Sequence, residues 1–350
     1  MRTTWLRWLT ITVTAWTCGV IPPLAPDPAF AADPPAIDAV YRGNAARTGE
    51  MPGPGPEGAP TLRWRYPTQA PVVVGVAVAA GVVYAGSWDH RLYAIDQATG
   101  ATRWIFTAGA GFYSSPTVHG GLLYAGGNDG VLYAIATADG TERWRFTADK
   151  PVWSSPVVVG GVLYVGSIDG SLYALASDTG RLVWRLDTLG AIWSSSPAVA
   201  AGVAYIGVAP RSAGSEGRMI AVDLGTGRIV WSFKTVQPVY NSAAVADGIV
   251  YFSSHDGALH ALEAKTGGEV WSRRPEAGIG SSPAVSLGRV FASSRDGSID
   301  AFAADSGRPL WRIKTGFVLG TSPVVGGAAV YAQKTEGRVG AYDAATGATL

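Results

Sequence analysis

Seven tryptophans, Trp64, Trp104, Trp144, Trp184, Trp231, Trp271 and Trp311, follow one another at intervals of 40, 40, 40, 47, 40 and 40 residues. A period of that length means that one supersecondary unit is repeated along the chain. Such a unit is too small to bury an apolar face by itself, so successive copies must stack on one another.

The text between the tryptophans repeats as well. One unit reads Ser154-Ser155-Pro156, a valine run, Gly160-Gly161, and then Val162-Leu163-Tyr164-Val165-Gly166. It continues with Ile168-Asp169-Gly170, Ser171-Leu172-Tyr173-Ala174-Leu175, Asp178-Thr179-Gly180 and Val183-Trp184-Arg185. These are four short apolar runs separated by Gly-Gly, Asp-Gly and Thr-Gly turns, the pattern of consecutive antiparallel hairpins. We label the runs strands A to D. Four strands in about 40 residues predict an all-β fold of β-propeller blades.

The unit resembles the PQQ-like repeat, and the segment Tyr41-Arg42-Gly43-Asn44-Ala45-Ala46-Arg47-Thr48-Gly49 resembles the lead-in common in that family. The resemblance runs from about residue 40 to residue 350. The family includes quinoprotein alcohol dehydrogenases and non-catalytic scaffolds of the BamB type, so it implies a fold more sharply than an activity.

Complete A-to-D units end at Trp104, Trp144, Trp184, Trp231, Trp271 and Trp311, and a further unit starts at Gly320-Thr321-Ser322-Pro323 without reaching its own strand D. Leu62-Arg63-Trp64-Arg65-Tyr66 is a strand D with no A, B or C before it. The expectation is a seven-bladed propeller in which this N-terminal strand completes the C-terminal blade by pairing near Arg338 to Tyr342. That arrangement removes a free sheet edge.

Residues 1–31 read as a signal peptide. Arg2 and Arg7 precede the apolar run Leu9 to Val20, and Ala29-Phe30-Ala31 is a small-x-small cleavage site. Residues 32–60 are then an extended lead-in and 61–350 the propeller. The chain is expected to be secreted, in the periplasm or the extracellular cell envelope of a bacterium, and monomeric. Beyond Ala31 there is no cysteine, which excludes disulfides, thiolate metal sites and covalently attached haem from that part. Basic and acidic residues there balance at 25 each, and no basic run occurs, so nucleic acid is not an expected partner. No later stretch is long enough for a transmembrane helix.

The tryptophans themselves, each following a Thr-Gly-like turn, are read as staples that dock one blade on the next. The Asp-Gly pairs at Asp129, Asp169, Asp256 and Asp296 are read as hairpin chemistry, one carboxylate per blade, and not as a calcium loop. No metal site is expected.

Propeller geometry puts the D-to-A and B-to-C loops on one face. There, four consecutive blades place an aromatic just before strand A: Tyr113, Trp153, Trp193 and Tyr240. Blades 6 and 7 have Gly280 and Gly320 at that place, and blade 1 the aliphatic Val72 to Val74. The B-to-C tips vary and carry Trp88 and His90, Asn128, Ile168, His255, Arg295 and Lys334. Blade 4 has the longer loop Ala209 to Gly217, which carries Arg211. An aromatic crescent beside variable loops suits a protein, peptide or glycan partner. Tyr113, Trp153, Trp193, Tyr240, Trp88, His90, His255, Arg295 and Arg211 are therefore the candidate binding residues.

An enzyme is not the favoured reading, and no catalytic residue is assigned. By resemblance, a quinoprotein dehydrogenase would need a larger ring, PQQ, and calcium held by Glu, Asn and Asp. No clustered acidic set marks the mouth, and no Cys-x-x-Cys-His motif occurs. No Ser-His-Asp set converges by spacing. The favoured function is a non-catalytic binding scaffold with no cofactor. The alternatives are a PQQ-dependent oxidoreductase and a glycan-binding or glycan-cleaving propeller.

Overall fold

The computed structural model describes residues 39–53, 61–211, 216–316, 321–334 and 338–350. The signal-like segment, Gly320 and Glu336-Gly337 lie outside the described residues, as does the middle of the blade 4 loop. The described residues form seven four-stranded sheets and no helix long and apolar enough to cross a membrane. Six sheets are plain A-B-C-D meanders. Blade 3 is representative: Val157–Val159, Val162–Gly166, Ser171–Ala176 and Leu182–Asp187 pair antiparallel in that order.

The turns form because their residues tolerate left-handed backbone. Gly160 and Gly161 have φ of 58° and 76°, which suits the two-residue hairpin joining A to B. At the B-to-C tip, Asp169 caps the turn by accepting the Ser171 N–H at 2.7 Å and the Tyr173 hydroxyl at 2.6 Å. Strands B and C are almost wholly buried between neighbouring blades, whereas the outer strand D alternates.

Each ladder tryptophan docks on the following blade. The Trp104 Nε1–H donates to the Thr137 carbonyl at 2.9 Å, and Trp144, Trp184, Trp231, Trp271 and Trp311 do the same to Ser177, Leu224, Ala264, Ala304 and Ala344. The ring covers the C-to-D turn glycine of that next blade. A methyl on Gly140 would lie 2.8 Å from the Trp104 ring, so the Thr-Gly turn is needed as much for this contact as for its φ of 76°.

The closure differs in detail from the expectation. An N-terminal strand does join the seventh sheet, but it is Glu50–Met51. It runs parallel to strand A of blade 7 (Val324–Gly326) on the inner edge. Leu62 to Tyr66 forms no ladder with strand C of blade 7 (Val339–Asp343). The reason is local competition: Thr349 bridges Tyr342, and the Leu350 N–H takes the Ala341 carbonyl, so that edge begins to pair with the chain's own last residues. Trp64 nevertheless docks like its six counterparts, donating to the Gln97 carbonyl of blade 1 at 2.9 Å.

Strands A line the axis and approach one another between blades 1 and 2 and along blades 3 to 7. The segment around Ala39 to Gly49 winds along their inner edges. Ala39 bridges Val118 of blade 2, and the carbonyls of Ala45, Ala46, Thr48 and Gly49 accept N–H groups of Val199, Val245, Val285 and Val325 in blades 4 to 7. The fully buried Arg47 donates to the carbonyls of Tyr41, Ser155, Pro156 and Pro197 at 2.8–3.1 Å. Arg42 reaches the carbonyl of Pro283. Burial holds both guanidiniums well below their ordinary pKa, Arg47 to about 9. The lead-in thus belongs to the ring's own core.

The Ser-Ser-Pro motif closes the inner edge from the other side. Going round the ring, backbone N–H groups of Gly75, Ser115, Ser155, Ser196, Ser242 and Ser282 donate to the hydroxyls of Ser115, Ser155, Ser196, Ser242, Ser282 and Ser322, at 2.9–3.1 Å. Blade 1 has Gly75 at this place and supplies no hydroxyl, so the relay is open between blades 7 and 1.

Candidate functional site

The serine relay fixes the backbone directly below the crescent. Phe112, Val152, Ile192 and Val239 are fully buried anchors between blades, and the next residue in each case is the aromatic of the mouth. Glycines at or near the end of strand B make room for these anchors: methyls on Gly86, Gly126, Gly166 and Gly207 would strike Phe112, Val152, Ile192 and Val239 at 2.4–2.8 Å. The alternation of buried anchor, outward ring and inward serine aims four rings at one opening.

The rings form one unbroken line. Trp88 of blade 1 stacks on Tyr113 at 6.0 Å, and Tyr113 stacks on Trp153 at 4.4 Å. Trp153 meets Trp193 edge-on at 5.4 Å, Trp193 meets Tyr240 at 6.2 Å, and Tyr240 meets His255 at 5.2 Å. Arg295 then donates to the His255 carbonyl and ends the line in blade 6. Two polar contacts lock it: the Trp153 Nε1–H donates to Asn128 Oδ1 at 2.6 Å, and the Ser194 hydroxyl donates to the Tyr240 carbonyl at 2.9 Å. Burial and the neighbouring Arg295 charge lower the His255 pKa, which favours the neutral imidazole.

These separations determine how a ligand can be taken. A ring inserted between two others needs about 7 Å between their planes, twice an ordinary carbon contact. Neighbouring centroids here are at most 6.2 Å apart. A partner would therefore lie along the arc and could not intercalate into it. The same face exposes further apolar side chains, Leu189 and Val236 in its D-to-A loops, beside the exposed Trp88 and Trp193. Neither Leu189 nor Val236 stands out in the repeat pattern; only their lack of a polar replacement in a loop marks them.

Two of the candidate residues stand apart from the arc. His90 occupies the tip position that is Gly130, Gly170, Gly257 and Gly297 in other blades, with φ of 69°. Its carbonyl accepts the Ala108 N–H at 2.8 Å, as Gly130, Gly170 and Gly297 do for Ala148, Thr188 and Thr315 in their own blades. Arg211 pairs with Asp187 at 2.9 Å across the seam of blades 3 and 4.

Among the described residues, no group of three or more His, Cys, Asp or Glu comes together in a way that could hold a metal ion. The tip carboxylates are used in turns and in pairs with tyrosine. Asp89, Asp129 and Asp169 accept the hydroxyls of Tyr93, Tyr133 and Tyr173 at 2.6 Å, and burial with this contact pushes those phenols up to about 12.

The comparisons with known proteins agree with this architecture. The family model described as "Outer membrane protein assembly factor BamB" matches residues 59–147, 89–232 and 215–350. Among solved structures, BamB from Moraxella catarrhalis superimposes with a TM-score of 0.71 at 22% identity, over 81% of this chain and 88% of that one. Quinohemoprotein alcohol dehydrogenase from Comamonas testosteroni gives 0.72 at 14% identity, over 89% and 72%. A computationally designed protein gives 0.69 at 15% identity, over 81% and 86%. At these identities the structural likenesses establish the fold alone. No curated protein matches the chain in sequence. The matched repeats span nearly all of the ring, and the chain belongs to the BamB family of PQQ-like β-propellers.

Proposed function

We infer that this protein is a non-catalytic scaffold of the cell envelope that holds a protein partner on the face carrying the aromatic arc. The observation that carries the reading is the continuous line from Trp88 through Tyr113, Trp153, Trp193 and Tyr240 to His255 and Arg295. Rigid aromatics on a stiff scaffold gain contact area with little loss of side-chain entropy, which is why Trp, Tyr and Arg dominate binding hot spots. Leu189 and Val236 add exposed apolar side chains in the loops of the same face, and exposed apolar surface of that kind commonly marks an interaction site. The family's description as an outer-membrane assembly factor gives the same direction, a protein partner in the envelope, reached through the N-terminal signal-like segment. The protein is expected to act as a monomer and to need no cofactor.

The test is in-cell crosslinking of the secreted protein, with and without replacement of Tyr113, Trp153, Trp193 and Tyr240 by alanine. Loss of a crosslinked partner in the folded quadruple variant supports the reading, and retention of every partner refutes it. Addition of PQQ with calcium separates the oxidoreductase alternative: a thermal shift or quinone absorbance on the protein would favour it. A glycan array addresses the remaining alternative.

A further inference from the structure

Six of the seven outer seams carry an apolar strand D residue at one recurring position, and the seam of blades 5 and 6 does not. Two residues after each docking tryptophan the outer strand carries Tyr66, Phe106, Phe146, Leu186, Phe233 and Ile313. Four of these rings meet a ring in strand C of the next blade: Tyr66 on Tyr93, Phe106 on Tyr133, Phe146 on Tyr173 and Phe233 on His260, at 4.9–5.4 Å. Between blades 5 and 6 both partners are replaced. Blade 5 has Arg273, and blade 6 has Asp300. Strand D of blade 5 also stops early, at Arg273, with Pro275 after it.

Arg273 does not fill the gap. It turns away to donate to the carbonyls of Gly307, Ser306 and Ser272. A cleft of about 370 Å³ remains, walled by Pro275, Phe302, Leu310 and Trp311, with Asp300 inside and Arg273, Arg274 and Arg312 around it. That volume falls in the lower range of small-molecule sites.

We propose that this cleft binds a small zwitterion of the amino-acid class, its ammonium on Asp300, its carboxylate on Arg274 and its apolar side chain against Phe302 and Trp311. The charges argue by elimination. A simple cation would meet three guanidiniums, and a simple anion would meet the buried carboxylate. Asp300 is short of donors. Its Oδ2 accepts the Ser294 hydroxyl, and its Oδ1 faces the charge of Arg312 Nη1 at 3.5 Å, too far for a good hydrogen bond. Burial accordingly raises its pKa above the carboxylate norm. Arg312 is itself held by Asp296 at 2.7 Å. Arg274 is exposed, with Asp256 within electrostatic reach, and is the guanidinium best placed to receive a carboxylate, since Arg273 is committed to carbonyls and Arg312 to Asp296. The site lies on the outer seam, away from the aromatic arc, and stands or falls independently of the partner-binding reading.

Isothermal titration calorimetry of the whole chain with L-leucine and L-phenylalanine tests it, beside 3-phenylpropionate and phenethylamine, which each lack one charge. Both amino acids should bind, and each single-charge analogue should bind at least about tenfold more weakly, the worth of one charge-assisted hydrogen bond. Asp300→Asn and Arg274→Ala should each weaken L-phenylalanine by a similar factor. Arg274 is on the surface, so its variant keeps the test valid if Asp300→Asn fails to fold. Equal binding of the analogues, unchanged affinity in both variants, or no heat at roughly 10 mM amino acid would overturn the proposal.

Discussion

The inner and outer edges of the ring solve the same problem, joining one blade to the next, by opposite means. Outside, the joint is repeated and local: an indole lies over a glycine turn, and its Nε1–H reaches a carbonyl 33 residues further on, or 40 where blade 4 is longer. Inside it is polar, and beside the repeated serine relay it has a singular part. A single strip of chain serves blade after blade, and Arg47 alone gathers carbonyls from Tyr41 of the lead-in and from blades 3 and 4. The outer design spreads the joining energy over seven similar contacts. The inner design concentrates it in a few groups that no other residue can replace.

That contrast can be broken. Arg47→Met should have the largest effect, because several buried carbonyls lose a charged donor at once. A loss of about 3–5 kcal/mol in chemical denaturation is expected, with loosening of blades 3 and 4 together. Trp144→Ala removes one half-buried staple and its hydrogen bond to Ser177, and should cost about 2–4 kcal/mol. If the order of these two losses is reversed, the inner edge is not the concentrated one.

The smallest effect is a pH dependence confined to an outer seam. Burial beside Phe233 and Phe252 lowers the His260 pKa, and Glu269 and Asp256 only partly oppose this. The folded protein therefore binds that proton less well than the unfolded chain does. Stability should fall as pH drops below about 6.5, where the unfolded chain takes up the proton first, until the lowered folded value is passed. His260→Tyr, which installs the residue found there in blades 1 to 3, should flatten the slope in thermal melts between pH 7 and pH 5. His255, whose shift has the same sign, contributes to the remaining slope, and Asp300, raised by burial, opposes it.

How much was legible in the sequence follows the same division. The ladder and its turns are periodic, so blade count and strand order can be read without coordinates. The mutual approach of Tyr113, Trp153, Trp193 and Tyr240 is legible for that reason too, since each occupies the same step before its serines. The distance of His90 and Arg211 from the arc was not legible: the imidazole stands where the repeat has a left-handed glycine, and the loop cation pairs with the nearby Asp187. The lead-in was the least legible part. Nothing periodic links Arg47 to Pro197, 150 residues away, and a buried arginine satisfied only by carbonyls leaves no carboxylate in the sequence to point to it. The start of the last outer edge was misread because residues 349 and 350 reach it first.

The serial order of the outer joints has an evolutionary consequence. Because each indole and the socket for its predecessor travel in the same 40-residue module, copying or deleting a module would carry plug and receptacle together. Ring size is then free to drift as far as the rim is concerned. The strip from Ala39 to Met51 acts as the gauge: its carbonyls at Ala45, Ala46, Thr48 and Gly49 are spaced for successive blades, and a ring with one blade more or fewer would no longer match it.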